Sequence, residues 1–248
     1  GLRPLEGPGP LHGPRLAAVK KRWRLALCYL SGAAVFAAPA FYLGGAWLWL
    51  AWPAMALLLV SLNYAVLDAG GFHKRADGRL SPAARWLLSP YVAAAWLNSR
   101  LWTRNNPQPD QVLDDVWLGR IPTRRELKGS TFTAVFELCA ELSLDPGTVA
   151  YRTLPVLDLT APTTAQCREA ALAIESLRQH GPLLVCCALG YSRSATAVAA
   201  WLLHTGRASS VAEAFLLIQR ARPGIVLGSF HREALEPLAT HMEARGVH

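Results

Sequence analysis

No residue between Leu25 and Leu67 carries a charge, a run far longer than the about 20 residues that take one helix across a bilayer core. Gly44-Gly45 falls near its middle and offers a turn, which divides the run into helical spans over 25–43 and 46–67. Beyond residue 110 the pattern changes. Short apolar runs at Val116–Leu118, Thr133–Leu138, Val149–Leu157 and Leu183–Cys187 have the length of buried strands. Helical stretches lie between and after them. One starts near Pro162 with Thr160 as its cap and stops at Gly181-Pro182; another follows Arg193 through Leu203 and stops at Gly206. A third opens at Ser210, where Ser210-Val211-Ala212-Glu213 reads as a capping box, and the last covers about 230–244. Strands alternating with helices predict an α/β domain, a central mostly parallel sheet flanked by helices, preceded by an α-helical transmembrane hairpin.

Four segments follow: a flexible tail with recurrent Gly and Pro over 1–19, a two-helix hairpin over 20–72, an amphipathic juxtamembrane segment and linker over 73–111, and a soluble domain over 112–248. The chain begins with Gly rather than Met and reads as a fragment or a processed product. A cleavable signal sequence fits poorly, because the apolar run is too long and no small-residue cleavage site follows. A pair of buried core helices is the other alternative. Trp47, Trp49 and Trp52 cluster as interfacial aromatics do. Ser81–Arg104 sets Trp86, Trp96 and Trp102 among scattered arginines, which suits a segment lying on the membrane surface as well as a helix packed on the soluble domain.

The formal net charge of +8 gathers at the flanks of the apolar run. Lys20, Lys21, Arg22 and Arg24 precede it; His73, Lys74, Arg75, Arg79 and Arg85 follow. Basic residues on both sides predict that both ends face the cytoplasm, giving a multi-pass protein of the cell membrane with the soluble domain inside. The same charge suits anionic lipid headgroups, and no base-reading motif points to nucleic acid. Five cysteines are scattered without CxxC or Cys/His spacing, so neither a disulfide framework nor a metal site is expected. His180, His204 and His231 likewise lack ligand spacing and read as surface or helix-end residues.

The informative stretch is Leu183-Leu184-Val185-Cys186-Cys187-Ala188-Leu189-Gly190-Tyr191-Ser192-Arg193-Ser194. A buried strand feeds a tight loop and the loop feeds a helix, which turns backbone N–H groups and a helix N-terminus on one point, as an anion requires. Cys187 opens the loop and Arg193 closes it. Helix dipole, loop amides and Arg193 all favour thiolate at Cys187. Arg193 offers a planar fork for two phosphoryl oxygens, and Gly190 admits a left-handed backbone.

This Cys-x5-Arg stretch, with Ser194 after it and a small-residue helix behind, resembles the dual-specificity branch of the cysteine-based protein tyrosine phosphatases. The resemblance covers roughly residues 112–245. Val116-Trp117-Leu118-Gly119 looks like the family's first strand, Thr133–Leu138 like its second, and Arg222-Pro223 with Ile225 like its late helix boundary. It implies a metal-free, cofactor-free, two-step hydrolysis of phosphomonoesters. Cys187 attacks phosphorus, Arg193 and the loop Ala188, Leu189, Gly190, Tyr191 and Ser192 hold the phosphoryl oxygens, and Ser194 helps the thiolate leave. Asp158, after an apolar strand and before a helix, matches the general acid. Asp145 competes, though Asp145-Pro146-Gly147 reads as a plain turn.

One departure stands out: the family usually places His immediately before the nucleophile, and this chain has Cys186. A catalytically impaired phosphate-binding module tethered to the membrane is therefore the alternative to an active enzyme. A membrane scaffold is a third reading, since Gly32, Ala33, Ala34, Ala37, Ala38 and Ala40 suit helix packing, within the hairpin or with partners. The loop interior holds no Lys or Arg, which disfavours a polyphosphorylated headgroup. The expected partners are the bilayer and either a lipid monophosphate or phosphotyrosine and phosphoserine on a membrane-associated protein. Tethered domains of this kind also resemble the C-terminal part of certain bacterial inner-membrane proteins.

Overall fold

The computed structural model describes residues 13–243. Helix α1 (Gly13–Leu43) opens with Pro14 in its first turn, where a missing N–H costs nothing. Residues 13–19, expected as tail, are therefore helical; residues 1–12 of that tail lie outside the described residues. Gly44 and Gly45 turn the chain with φ of +61° and +54°, in the left-handed region that favours glycine. A 3₁₀ turn (Gly45–Leu50) leads into α2 (Ala51–Leu62), then a π turn (Asn63–Leu67) and a 3₁₀ turn (Asp68–Phe72). Leu16–Leu43 and Gly45–Phe72 are each 28 residues of helix, long and apolar enough to cross a bilayer. Ala26, Ala33 and Ala40 recur at seven-residue spacing and are buried, a seam of small side chains that lets the two backbones approach. Ser61 Oγ donates to the Ala26 carbonyl at 2.7 Å across that seam.

The segment between hairpin and sheet is fastened to both. Lys74 turns inward and donates to the Glu137 carboxylate and to the carbonyls of Cys139 (2.8 Å) and Leu142 (2.6 Å). Helix α3 (Pro82–Leu87) is capped by Ser81 Oγ, which accepts from Ala84 N–H. Trp86 stacks on Trp52 of the hairpin with ring centroids 5.5 Å apart. Helix α4 (Ser89–Trp102) is bound through Ser99 Oγ, which donates to the carbonyl of Ala188. Its outward side leaves Trp96, Leu97, Leu101 and Trp102 exposed. One face thus packs on the C-terminal domain, and the other leaves its apolar residues exposed.

A five-stranded sheet of order β1-β2-β5-β3-β4 forms the centre of the soluble domain. β1 (Asp110–Leu113) pairs antiparallel with β2 (Val116–Arg120); β3 (Ala134–Cys139), β4 (Ala150–Val156) and β5 (Leu183–Cys187) complete it with parallel pairs. β1 falls where the pattern predicts linker, because a four-residue edge strand that starts on Asp carries too little apolar signal. Helix α5 (Arg124–Lys128) was also not anticipated, although Thr123 and Glu126 form a complete capping box there. α6 (Thr164–Leu177) is capped by Thr163 with Gln166, not by Thr160. α7 (Arg193–His204), α8 (Val211–Ala221) and α9 (Ser229–Glu243) follow. Ser210 caps α8, but the Glu213 carboxylate accepts from the Ser209 N–H instead of closing the box on Ser210. Cys139 ends β3 and is fully buried. β5 lies in the middle of the sheet, so its carboxyl end delivers Cys187 to the crevice where loops of neighbouring parallel strands converge.

Lys74 and Glu137 are both almost wholly buried, and removing one partner of such a pair leaves a charge alone. Lys74→Met is expected to destabilise the full-length protein by about 3–5 kcal/mol in denaturant unfolding, with Lys74→Met/Glu137→Gln recovering part of that loss.

Candidate active site

β5 ends at Cys187, and α7 begins at Arg193, so the intervening loop must reverse direction within a few residues. Gly190 makes that possible. Its φ is +75°, and a Cβ there would lie 2.3 Å from the Gly119 carbonyl carbon. No side chain fits. The loop therefore seats directly against β2, tied by the Ile121 N–H to the Cys187 carbonyl at 2.7 Å.

Cys187 Sγ accepts from the Gly190 N–H at 3.3 Å and from Ser194 Oγ at 3.2 Å. Burial pushes its thiol up, but the Arg193 charge, the Ser194 hydroxyl and the amides of Ser194 and Gly190 outweigh it, and the net shift is below the ordinary thiol value. Cys186 points away into the sheet, fully buried beside Glu137, and burial holds it far above the usual range as a neutral thiol. Two adjacent cysteines thus have opposite chemistry because they face opposite sides of one strand.

Arg193 is 2% exposed and anchors the other half of the site. Its Nη1 donates to Glu141 Oε2 (2.9 Å) and to the Val156 carbonyl (2.9 Å); its Nη2 donates to Glu141 Oε1 (2.7 Å) and to Asp158 Oδ1 (2.9 Å). Burial alone would raise Glu141, yet Arg193 beside it holds the carboxyl below the usual range. Asp158 moves the other way. Burial lifts it, Arg193 pulls it back, and Glu141 lifts it again, for a net rise. One guanidinium shared by two carboxylates leaves the more open of them inclined to keep a proton.

Both partners of Arg193 sit on loops at the carboxyl ends of parallel strands, Glu141 after β3 and Asp158 after β4. Leu159, next to Asp158, has φ +58°, a left-handed backbone that costs a residue without glycine's freedom of order 1–3 kcal/mol. Asp145 lies elsewhere: its carboxylate accepts from the Gly147 N–H at 3.3 Å and pairs with Arg79 and Arg124, a turn residue as read.

The loop is braced from outside by residues to which the sequence alone assigns no role in the site. His231, expected as a surface or helix-end residue, stands at the start of α9 and is buried. It is 8% exposed; its Nδ1 accepts from the Gly228 N–H at 3.1 Å, and its Nε2 lies 2.8 Å from Ser192 Oγ. Accepting at Nδ1 assigns the proton of the neutral ring to Nε2, which then donates to Ser192. Arg222, fully buried, donates to Asp110 and to the Gln108 carbonyl, and its guanidinium lies 4.7 Å from the Tyr191 ring centroid. Only Arg222 carried a signal beforehand, as part of Arg222-Pro223.

This geometry can hold a tetrahedral oxyanion against loop amides and Arg193, attack it with a thiolate and protonate a leaving oxygen. The family model for the dual specificity phosphatase catalytic domain matches residues 116–237. No curated protein matches the chain. Among solved structures, Tk-PTP in its active form is 32% identical with a TM-score of 0.50, over 54% of this chain and 98% of that one. A variant of human DUSP28 is 23% identical with a TM-score of 0.50, over 56% of this chain and 99% of that one. PTPMT1 in complex with PI(5)P is 22% identical with a TM-score of 0.50, over the same shares of 56% and 99%. The last two establish the fold. With the matched catalytic domain and 32% identity to Tk-PTP along nearly its full length, the chain belongs to the dual specificity phosphatase family and is a cysteine-based hydrolase of the protein tyrosine phosphatase type.

Proposed function

We propose that this protein is a membrane-anchored phosphomonoesterase working through a phosphocysteine, with Cys187, Arg193, Asp158 and Ser194 in the chemical roles. The observation that carries the reading is the pairing of Arg193 with both Glu141 and Asp158 beside a hydrogen-bonded Cys187 Sγ. In the first step the Cys187 thiolate forms an S–P bond as the ester P–O bond breaks, and Asp158 gives its proton to the departing oxygen. In the second, water attacks phosphorus, Asp158 takes up its proton and the S–P bond breaks, releasing inorganic phosphate; Ser194 Oγ stabilises the returning thiolate. Arg193 and the amides of Ala188, Leu189, Gly190, Tyr191 and Ser192 bear the phosphoryl charge through both steps.

The hairpin supplies the anchor. Leu27, Val35, Phe41, Trp49, Met55 and Val66 are among its exposed residues, an apolar surface that water would not leave bare. With Lys20, Lys21, Arg22 and Arg24 before it and Lys74, Arg75, Arg79 and Arg85 after, both ends belong on the cytoplasmic side, and α4 lays its exposed Trp96, Leu97, Leu101 and Trp102 on the same surface. A lipid monophosphate, or phosphotyrosine and phosphoserine on a membrane-associated protein, would meet the site at raised local concentration. The full chain is expected to stay with membranes through an alkaline carbonate wash; its release would overturn the spanning hairpin.

The test of the chemistry is turnover of an aryl phosphomonoester by the detergent-solubilised chain with chelator present. Cys187→Ser should abolish it, and Asp158→Asn should cut turnover of alkyl phosphomonoesters by about 10²–10⁴-fold. Wild type that is inert yet binds phosphate, with Cys186→His gaining turnover, would establish the impaired binding module instead.

The shifted groups also set the pH dependence. Cys187, lowered, becomes thiolate at a lower pH than an ordinary thiol, while Asp158, raised, keeps its proton to a higher pH than an ordinary carboxyl. kcat/KM should therefore rise through the Cys187 ionisation and fall through that of Asp158. Glu141→Gln removes the anion that lifts Asp158 and frees more of the Arg193 charge to act on it, so the falling limb should move to lower pH. A limb that stays in place in this variant would refute the coupling.

A further inference from the structure

The hairpin does more than lie beside the catalytic domain. Ala140, next to Glu141, and Leu157, next to Asp158, are buried in one apolar cluster with Ala26, Val60, Tyr64 and Phe72 of the hairpin segment. Both carboxylates that share Arg193 are thus set by neighbours packed into the hairpin. Within that cluster Tyr64 is 1% exposed, and its hydroxyl donates to the carbonyl of Asp158 itself at 2.9 Å.

Tyr64 is held from several sides. Its ring stacks on Tyr29 with centroids 5.3 Å apart, and its own carbonyl accepts from Arg22 Nε at 3.2 Å. It belongs to the π turn Asn63–Leu67, a local widening of the helix of the kind that often marks functional positions. The carbonyl it grips is followed by Leu159 in its left-handed conformation, a backbone state that persists only where the surroundings enforce it. A buried tyrosine hydroxyl needs a partner, and the partner here is the backbone of the expected general acid.

We propose that Tyr64 is a positioning residue for proton donation: the hairpin, through the Tyr64 hydroxyl, holds the Asp158 loop at the distance from which its carboxyl serves the leaving oxygen. The proposal rests on Asp158 acting as general acid, and it makes the membrane segment part of the catalytic apparatus. Tyr64 touches no reacting atom, so its effect must follow the need for a proton. In kcat/KM, which ends at P–O cleavage and leaves out the later attack of water, a leaving group that departs readily as an anion should not register its loss.

The test compares wild type and Tyr64→Phe as full-length protein in detergent, on an alkyl phosphomonoester and on an aryl phosphomonoester with a strongly acidic phenol. The expected result is a fall in kcat/KM, which reports only as far as P–O cleavage, of at least about tenfold on the alkyl ester, a part of the ~10²–10⁴-fold that a general acid supplies, with little change on the aryl ester. The rate at which iodoacetate alkylates Cys187 should stay unchanged, since the thiolate's partners lie on the loop and α7. Leu157→Ala, which loosens the same loop from the cluster, should show the same leaving-group selectivity. An equal loss of kcat/KM on both esters, or altered alkylation, would mean that Tyr64 serves the fold alone and would overturn the proposal; so would unchanged kcat/KM on both. Wild type that hydrolyses neither ester would instead bring down the phosphatase reading on which the proposal stands, and full alkyl activity in Asp158→Asn would remove the acid from that position.

Discussion

The guanidinium of Arg193 is a positive charge held almost entirely out of water, and the rest of the site is arranged around making that tolerable. A lone buried charge is costly, and a buried pair often adds little net stability over apolar side chains of the same size. What it does supply is fixed electrostatics. Bidentate contact with Glu141 holds the guanidinium still, its remaining charge favours the Cys187 thiolate, and its contact with Asp158 brings that carboxylate into the same network. Preorganised charge of this kind acts where negative charge must be held in the transition state, and little has to reorient during reaction.

The same network explains why the soluble domain and the hairpin are not separable parts. Lys74 satisfies Glu137 from the segment that follows the hairpin, Ser99 binds the loop at Ala188, and Tyr64 reaches Asp158. Each is a polar group in an apolar setting with its partner on another segment, and such groups specify arrangement more than they add stability. The Ala26–Ala33–Ala40 seam brings α1 close to its neighbour and so sets the Tyr29 ring against Tyr64. Sites of this sort depend on their supporting side chains as much as on the reacting ones.

Much of this protein was legible because its signals are local. The charge-free run, Gly44-Gly45, and the apolar strands with helices between them are patterns within one stretch of chain, and they located both arms of the apolar hairpin and four of the strands. The path from Leu183 to Ser194 likewise carries its chemistry in sequence order, because strand, loop and helix N-terminus must be contiguous to aim their amides at one point. Short elements carry a thin signal: β1 has four residues, and α5 has five with the Thr123–Glu126 capping box as its one local mark.

What the sequence alone determined, then, is the class of fold and the contiguous strand, loop and helix that carry Cys187 and Arg193. Tertiary structure decided what those groups are paired with. Glu141 stands 52 positions from Arg193, Tyr64 stands 94 from Asp158, and His231 stands 39 from Ser192. No periodicity or spacing connects residues so far apart. Their chemistry appears only when parallel strands bring their carboxyl ends together and the apolar hairpin folds back on the loops between them, because burial and proximity are properties of the assembled molecule.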